Sequence, residues 1–241
     1  MHPVICTWGP FSIYSYGMML AIAFVVGSAL AAMEAGRRNI EPDIIFNLCF
    51  VIAISGVIGA RIFYVATNLG EYLRDPLEIF MLQHGGLSWF GGLMLGAAAG
   101  IAYVRHKKLP LLKILDLMSP FVALAQSIGR IGCLLNGCCF GRESAYGLYF
   151  PVHDKVLIPT QMYSSLFLVF LFIILRILQD RPHKQGYVFF SYLALYSVGR
   201  FFIEFWRADN PAVIFNLTLF QVLSIVLFCI ALFGFLSLKK S

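Results

Sequence analysis

Charged side chains are scarce in this sequence. They make up 12% of its 241 residues, whereas 60% of the residues are hydrophobic. A soluble domain of this size needs more charge than this to keep its surface hydrated, so the composition excludes that class of protein. Several apolar stretches reach about 20 residues, which is the length that a helix needs to cross the hydrocarbon core of a bilayer. The sequence therefore predicts an all-α, polytopic membrane protein.

Internal repeats, low-complexity tracts and domain linkers are also absent. Without a repeat, an inverted-repeat transporter is disfavoured, and residues 1–241 are predicted to form a single integral membrane domain. The N-terminal stretch MHPVICTWGP lacks the basic n-region of a cleavable signal peptide, so the first span is expected to persist in the mature protein. Windows of low charge predict seven spans, roughly at 11–33, 44–67, 87–104, 113–136, 159–178, 186–206 and 215–237.

The basic residues predict how the chain is oriented in the membrane. Eleven of the eighteen lie in one alternating set of segments, namely Arg37, Arg38, Arg105, Lys107, Lys108, Lys113, Arg176, Arg181, Lys184, Lys239 and Lys240. The opposite set holds only Arg74, Arg142, Lys155 and Arg207. Because cytoplasmic loops carry an excess of Lys and Arg, the N-terminus is predicted outside and the C-terminus inside. The net charge of +6 then reflects topology, and no binding of nucleic acid is expected.

Three of the six cysteines lie close together, as Cys133, Cys138 and Cys139. The spacing C-x4-C-C, with no second pair nearby, resembles no zinc template, so neither a metal site nor a cofactor is predicted. We expect the cysteines to act as small buried hydrophobes. Either Cys138 or Cys139 could pair with Cys133 if the helix ends near that residue, and the sequence leaves that alternative open.

Three arginines lie inside predicted spans, each in the half toward the predicted outer face: Arg61, Arg130 and Arg200. Each costs about 2.5–3.5 kcal/mol at the centre of a membrane helix unless it meets protein, water or an anion. For Arg61, and for Arg200 with Glu204 one turn away, a structural role is as good an expectation as ligand binding. Arg130 has no acidic residue within twelve positions on either side. Its simplest predicted partner is an anion, in particular a phospholipid phosphate that the planar guanidinium can bind with two hydrogen bonds.

Other polar residues gather at the same ends of the spans, while the opposite ends carry few. Tyr16 begins the first span, where it could equally belong to an interfacial aromatic belt, and Gln161 begins the fifth. One face of the sixth span carries polar residues at spacings of four, four and three, namely Tyr196, Arg200, Glu204 and Arg207. A ridge of small residues on the third span, Gly92, Gly96 and Gly100, is expected to let another helix approach closely. The asymmetry of the polar residues predicts a site that opens on the outer leaflet.

These residues fall in motifs that together resemble a known family. The stretch GRIGCLLNGCCFGR, at 129–142, resembles the signature GRIG-x3-NG-x3-GR of the phosphatidylglycerol–prolipoprotein diacylglyceryl transferases. Five further stretches resemble the other motifs of the family and occur in the same order: YSYGMMLA, GARIFYV, GGLSWFGGLMLG, PTQMY and GRFFIEFWRADN. The resemblance extends from about residue 11 to residue 210. The resemblance implies seven spans with an outside N-terminus, in a bacterial cytoplasmic (inner) membrane.

The resemblance also implies a reaction. The sulfur of a prolipoprotein lipobox cysteine attacks the glyceryl carbon of phosphatidylglycerol, a thioether forms and glycerol phosphate leaves. Arg130 and Arg207 match the family's functional arginines and are the predicted catalytic residues, which hold the departing phosphate. The predicted substrate-binding residues are Tyr16, Arg61, Asn136, Gln161, Arg200 and Glu204. The expected partners are phosphatidylglycerol, prolipoprotein signal peptides and membrane lipids, and the chain is expected to act as a monomer.

Three positions depart from the family pattern. Phe90 stands where many members have a histidine, so a histidine base at that position is excluded, and His84, which precedes the first glycine pair, is not assigned that role. Cys133 replaces the usual asparagine after GRIG, and Ser164 replaces an acidic residue that commonly follows PTQ-x-Y. Cationic surroundings would lower the pKa of the substrate thiol and lessen the need for a base. The departures keep open an alternative, a divergent paralogue that binds phospholipid but transfers to another acceptor or is inactive.

Overall fold

The described residues of the computed structural model, 1–8, 11–81 and 85–240, contain seven α-helices of 18 residues or more. In chain order the helices are α1 (Ser15–Arg37), α2 (Pro42–Thr67), the four-residue α3 (Leu69–Tyr72), α4 (Trp89–His106), α5 (Leu111–Asn136), α6 (Thr160–Gln179), α7 (Tyr187–Glu204) and α8 (Leu219–Lys240). A 3-10 helix at Pro76–Phe80 precedes α4. Each predicted span overlaps one of the seven long helices. His84, to which the sequence assigns no role as a base, lies outside the described residues.

Five of the long helices are long and apolar enough to cross a membrane, namely α1, α2, α5, α6 and α8. The other two, α4 and α7, have 18 residues each, and both include charged or titratable residues near their ends, namely Arg105 and His106 in α4 and Arg200 and Glu204 in α7. The chain is therefore a mostly helical, multi-pass membrane protein.

The chain divides into two compact units, within each of which most contacts are made. One of them is Ala31–Ile114. In this unit α2 and α4 pack closely along their glycines. A Cβ added to Gly92 would lie 3.2 Å from the carbonyl oxygen of Gly56, and one added to Gly96 would lie 3.3 Å from that of Ile52. Such an approach of two backbones requires residues without side chains, so the ridge of small residues predicted for this helix is confirmed.

The second unit combines Met1–Leu30 with Leu115–Ser241. Its buried apolar core lies on α5, α6 and α7 and consists of Ala123, Leu168, Leu171, Leu175, Val188 and Tyr192. Leu168, Leu171 and Leu175 recur at spacings of three and four, the period that places side chains on one face of a helix. Ser127 and Ser165 hydrogen-bond to each other at 3.0 Å between α5 and α6. This antiparallel packing brings the C-terminal ends of α5 and α7 to the N-terminal end of α6.

A polar cluster lies at the other end of this helix group, where α5 and α7 begin and α6 ends. The expectation that this end carries few polar groups is therefore corrected. The carboxylate of Asp116 in α5 accepts hydrogen bonds from the N–H groups of Gly186 and Phe189, at 2.5 and 2.8 Å. Gln179, at the end of α6, donates to the carbonyl oxygens of Asp116 and Leu117 at 3.1 and 3.2 Å. The first turn of a helix leaves N–H groups without partners, and Asp116 satisfies two of them at the start of α7.

Three antiparallel β-hairpins interrupt the helical pattern, and none of them is predicted from the sequence. They pair β1 (Val4–Trp8) with β2 (Phe11–Tyr14), β3 (Glu143–Phe150) with β4 (Lys155–Leu157), and β5 (Ala212–Ile214) with β6 (Leu217–Thr218). Because β2 and β6 carry no charged residue, windows of low charge do not separate them from the helices that follow. The helices therefore begin at residues 15 and 219, whereas the spans are predicted from 11 and 215.

Candidate active site

The C-terminus of α5 is closed by a Schellman motif. The N–H of Gly137 donates to the carbonyl oxygen of Leu134 at 3.2 Å, and the N–H of Cys138 donates to that of Cys133 at 3.1 Å. Gly137 has a φ of +76°, the left-handed conformation that this motif requires and that glycine adopts without strain. The Asn-Gly pair of the signature therefore marks the end of the helix, with Asn136 as its last residue.

Arg130 lies between one and two turns before this helix end and is half-buried. It has no hydrogen-bond or ion-pair partner in the part of the chain that the structure describes. Tyr16 lies within its electrostatic range and packs on Gly132, where an added Cβ would come within 3.4 Å of the tyrosine ring. A Cβ added to Gly129 would meet no described atom within 4 Å, so space is open beside the guanidinium. Gly132 thus allows α1 to pack closely against α5 near Arg130, and Gly129 leaves open space beside the guanidinium.

The loop after α5 is held by the first two residues of α6. Thr160 Oγ1 donates to the carbonyl oxygen of Cys139 at 2.7 Å, and Gln161 Nε2 donates to that of Cys138 at 2.6 Å. Gln161 is 1% exposed, and its Oε1 has no hydrogen-bond partner among the described atoms. The amide nitrogen of this predicted substrate-binding residue is therefore committed to the chain's own backbone, and only its oxygen is uncommitted.

The end of the stretch GRIGCLLNGCCFGR and the end of the stretch GRFFIEFWRADN are joined through their backbones. Gly141 forms a β-bridge with Arg207, and the N–H of Arg142 donates to the carbonyl oxygen of Trp206 at 2.8 Å. On the other side, the N–H of Gly141 donates to the carbonyl oxygen of Ile158 at 2.9 Å. A Cβ added to Gly141 would lie 2.7 Å from the Trp206 oxygen and 2.8 Å from Ile158 Cβ, so only glycine fits. This glycine fixes the backbone of Arg207 beside the loop that follows α5.

Glu204 joins the polar residues at the end of α7. Its Oε1 accepts hydrogen bonds from Asn210 Nδ2 at 2.5 Å and from Thr218 Oγ1 at 3.0 Å. Its Oε2 lies 2.7 Å from Arg200 Nη2 and 3.8 Å from Arg207 Nε, and the carboxylate side chain is fully buried. The approach to Arg200 is an ion pair without hydrogen-bond alignment. The structure thus contains the salt bridge that the sequence left open as one role of Arg200.

That salt bridge does not use all the donors of Arg200. Its guanidinium carbon lies 4.8 Å from the centre of the Phe220 ring, and its Nη1 is buried without a hydrogen-bond partner in the described chain. Arg130 lies within electrostatic range of Arg200 and, because both are cations, raises the cost of keeping Arg200 charged. An anion placed between them would relieve this repulsion.

Arg207 is held by Asp209, a residue that sequence reasoning missed although it stands in the same WRADN motif. Nε donates to Oδ1 at 2.8 Å and Nη2 to Oδ2 at 2.5 Å, which is a bidentate pair. Burial alone lowers the pKa of Arg207, but the hydrogen bond to Asp209 and the charges of Cys139, Asp209 and Glu204 leave that pKa above its ordinary value. Asn210 and Thr218, the partners of Glu204, were also missed, because no helical spacing links them to it.

The three clustered cysteines converge. Their sulfur atoms all lie within 4.8 Å of one another, and all three are free thiols. Hydrogen bonding with the thiols of Cys133 and Cys138 lowers the pKa of Cys139 from its ordinary value, and the charges of Arg207 and Arg130 lower it further. The expectation of burial is confirmed for Cys49 and Cys133 but is wrong for Cys6 and Cys229, which are exposed. On a membrane helix such as α8, an outward apolar side chain can face lipid instead of water, so exposure there carries no penalty.

Arg61 belongs to the unit Ala31–Ile114, where it is 6% exposed and binds backbone carbonyls. Its Nε donates to the carbonyl oxygen of Ile79 at 3.0 Å, and its Nη1 donates to those of Gly85 and Gly86 at 2.6 and 2.9 Å. Its guanidinium carbon lies 5.2 Å from the centre of the Tyr72 ring. Of the two roles that the sequence left open for Arg61, the structural one accounts for these bonds.

The other predicted site residues all lie in the unit formed by Met1–Leu30 and Leu115–Ser241, namely Tyr16, Arg130, Asn136, Gln161, Arg200, Glu204 and Arg207. Hydrogen bonds, ion pairs or electrostatic contacts link each of them to another member or to the loop that follows α5. Residues from four separate helix ends thus form one cationic cluster.

Comparison with known proteins identifies relatives of this chain. A family model described as prolipoprotein diacylglyceryl transferase matches residues 3–237. The phosphatidylglycerol–prolipoprotein diacylglyceryl transferase 2 of Clostridium perfringens is 36% identical over 221 residues, which cover 88% of this chain and 86% of the relative. The phosphatidylglycerol–prolipoprotein diacylglyceryl transferase of Clostridium tetani is 34% identical over 242 residues, covering 98% and 97%, and that of Enterococcus faecalis is 34% identical over 234 residues, covering 91% and 84%. The chain belongs to the prolipoprotein diacylglyceryl transferase family.

Proposed function

We propose that this chain is a transferase that moves the diacylglyceryl group of phosphatidylglycerol to the lipobox cysteine of a prolipoprotein. The observation that carries the proposal is Arg130, a half-buried guanidinium on a membrane helix with no partner in the described part of the chain. Such a cation is costly unless an anion meets it, and a phosphate offers oxygens for two parallel hydrogen bonds. The names of the relatives specify both phosphatidylglycerol and a prolipoprotein.

The reaction needs stabilisation of a leaving phosphate. A C–S bond forms between the substrate sulfur and the glyceryl carbon, the C–O bond to the phosphate breaks, and its electron pair leaves with glycerol phosphate. The thiol proton passes to the leaving phosphate or to solvent. Arg130 holds the phosphate as its second negative charge develops, and such preorganised donors typically contribute a factor of about 10²–10³ to kcat. Arg200 and Arg207 add positive potential, which also lowers the pKa of the incoming thiol.

The remaining residues orient the substrates or hold the site together. Tyr16 and Asn136 lie close enough to Arg130 and the loop after α5 to orient the phospholipid headgroup. Gln161 offers its free carbonyl oxygen, and Glu204 sets the positions of Arg200 and Arg207. Arg61 stabilises the backbone of its own unit, Ala31–Ile114, through the carbonyls that it binds.

We further propose that all seven long helices cross the bacterial cytoplasmic membrane and that the chain is one monomeric membrane domain. The N-terminus lies outside, the C-terminus inside, and the site opens on the outer leaflet. Support comes from the basic residues in and beside the two short connections, namely Arg105, Lys107, Lys108 and Lys113 around the one from α4 to α5, and Arg176, Arg181 and Lys184 around the one from α6 to α7. The much longer connection from α5 to α6 holds only Arg142 and Lys155.

The test is transfer by the purified protein. Phosphatidylglycerol and a lipobox peptide are added, and the thioether product is quantified by mass spectrometry. Arg130→Ala should lower the rate by a factor of about 10²–10³. The rate of Arg130→Lys should lie between those of the wild type and Arg130→Ala, because lysine keeps the charge but lacks the planar guanidinium. Arg181→Ala is the matched control, since Arg181 is an exposed arginine outside the cluster.

Full activity of Arg130→Ala would contradict the proposed role of this residue. If the wild-type protein binds phosphatidylglycerol but forms no thioether, the divergent paralogue is favoured, and other acceptors become the substrates to test. The three departures Phe90, Cys133 and Ser164 are then the first positions to revert.

Orientation is tested separately with a membrane-impermeant thiol reagent on intact cells. In a background with Cys6, Cys138, Cys139 and Cys229 replaced by serine, Ala145→Cys in the hairpin β3–β4 should be labelled, and Lys108→Cys between α4 and α5 should not. Both positions are exposed. Labelling of Lys108→Cys from outside would overturn both the orientation and the placement of the site.

A further inference from the structure

The Schellman motif at the end of α5 places two cysteine side chains face to face. In this motif the residue after the left-handed glycine, here Cys138, packs against the residue five positions earlier, here Cys133. The two backbone groups are joined at 3.1 Å, and the Cys138 sulfur lies 3.7 Å from the Cys133 carbonyl oxygen. Apolar residues frequently occupy this pair of positions, whereas two thiols occupy them here.

Cys139 adds a third sulfur through an unusual backbone conformation. Its φ is +63°, in the left-handed region that residues other than glycine rarely adopt. The conformation is held from outside the loop, because Thr160 binds the carbonyl oxygen of Cys139 and Gln161 that of Cys138. Strain of this kind persists where the surroundings enforce it, and it is concentrated at functional positions. Its result is that all three sulfur atoms lie within 4.8 Å of one another.

We propose that Cys133, Cys138 and Cys139 bind one thiophilic metal ion with a filled d shell, Zn²⁺ or Cu⁺. Soft thiolate ligands select these ions. With Zn–S bonds of about 2.3 Å, three sulfurs on a tetrahedral ion lie about 3.8 Å apart. The sulfurs are separated by at most 4.8 Å, so closing around an ion requires shifts of about 1 Å or less at each thiol.

Two neighbouring features fit a bound ion. Three thiolates around Zn²⁺ or Cu⁺ carry a net negative charge, and Arg130 and Arg207 both lie within electrostatic range of Cys139. Gln161, anchored to this loop and 1% exposed, has a carbonyl oxygen without a donor. A buried acceptor left in this state is unfavourable, and a water in the fourth position of Zn²⁺ would supply the missing hydrogen.

The sequence predicts no metal here because the spacing C-x4-C-C matches no zinc template. Those templates bring two separated pairs of ligands together, whereas here one helix end and one strained residue bring the three sulfurs together. A disulfide is the competing arrangement, but it would use only two of the three sulfurs, all of which lie within 4.8 Å of one another. The proposed ion clamps the loop to α5, and this does not depend on the reaction proposed above.

The test is metal content in the full-length purified protein. The protein is equilibrated with Zn²⁺ in one arm and with Cu⁺ under a reductant in the other, excess ion is removed, and bound metal is measured by mass spectrometry. We expect one ion per chain in at least one arm, and the arms decide which ion it is. Replacing the three cysteines, Cys133→Ser, Cys138→Ser and Cys139→Ser, should abolish binding. The pair Cys6→Ser and Cys229→Ser, which removes two thiols outside the cluster, should leave it unchanged.

A second variant keeps the test valid if the triple replacement fails to fold. Cys139→Ala preserves the Schellman pair and should weaken binding at least about tenfold. In the Zn²⁺ arm, Co²⁺ should give the intense near-ultraviolet thiolate charge-transfer band in the wild-type protein and a weaker band in Cys139→Ala, which keeps two of the three thiolates. The proposal is overturned if neither ion is retained, if Cys139→Ala binds equally well, or if thiol titration of the unfolded protein shows that two of the three cysteines form a disulfide.

Discussion

Replacing Glu204 by glutamine removes the negative charge that pairs with the buried Arg200, which has no other ion-pair partner in the described part of the chain. Glutamine keeps the size of the side chain and an oxygen for Asn210 and Thr218, so packing and those two hydrogen bonds need not change. The Arg200 guanidinium, whose Nη1 already lacks a partner, then becomes a buried cation without a counter-ion. Breaking a buried ion pair by removing one partner costs about 3–5 kcal/mol. The ring contact of Arg200 is present in both proteins and leaves this difference unchanged.

Thermal unfolding in detergent measures this loss. For a chain of this size, 1 kcal/mol shifts Tm by about 2–4 °C, so Glu204→Gln should lower Tm by about 6–20 °C. Arg200→Met and the double variant complete a double-mutant cycle. The double variant should be more stable than Glu204→Gln alone, because no unpaired charge remains buried. A shift of less than about 3 °C, or a double variant that shows the sum of the two single losses, would refute the reasoning.

Three further substitutions test other parts of the structure. Gly141→Ala places a Cβ 2.7 Å from the carbonyl oxygen of Trp206 and should cost about 1–3 kcal/mol, so an unchanged Tm would contradict this packing. Arg61→Lys keeps the charge but cannot bind several carbonyls at once, so hydrogen exchange should rise in the 3-10 helix Pro76–Phe80 and stay constant in α5. Asp116→Asn weakens the acceptor for two N–H groups at the start of α7 and should lower the stability measured by thermal unfolding by about 0.5–2 kcal/mol. Asp116→Leu, which removes the acceptor, should lower the stability more. Wild-type stability in both variants would show that these hydrogen bonds contribute nothing.

The long helices were predictable because the membrane imposes one simple rule. A segment must be apolar over about 20 residues to cross, and each stretch that meets this rule overlaps one long helix. The rule says nothing about where a helix gives way to a short strand that carries no charge. For that reason β2 and β6 were absorbed into the first and last spans.

Within the site, local spacing predicted the pairs that lie on one helix. Arg200 and Glu204 are four residues apart, and the structure contains their ion pair. Asp209 lies two residues beyond Arg207 in a turn, and Thr218 lies fourteen beyond Glu204, so neither follows from helical periodicity. Contacts of this kind depend on how the chain turns after α7.

The sequence by itself determined that this is a helical membrane protein, which helix ends carry arginine and which family motifs it contains, because transfer free energies and helical periodicity act on neighbouring residues. Only the tertiary structure decided what the other arginines meet. Arg61 binds the backbone carbonyls of Ile79, Gly85 and Gly86, Arg207 pairs with Asp209, and Arg130 has no partner in the described chain. These contacts depend on how the chain turns and packs beyond the ends of its helices, and helical spacing does not encode them.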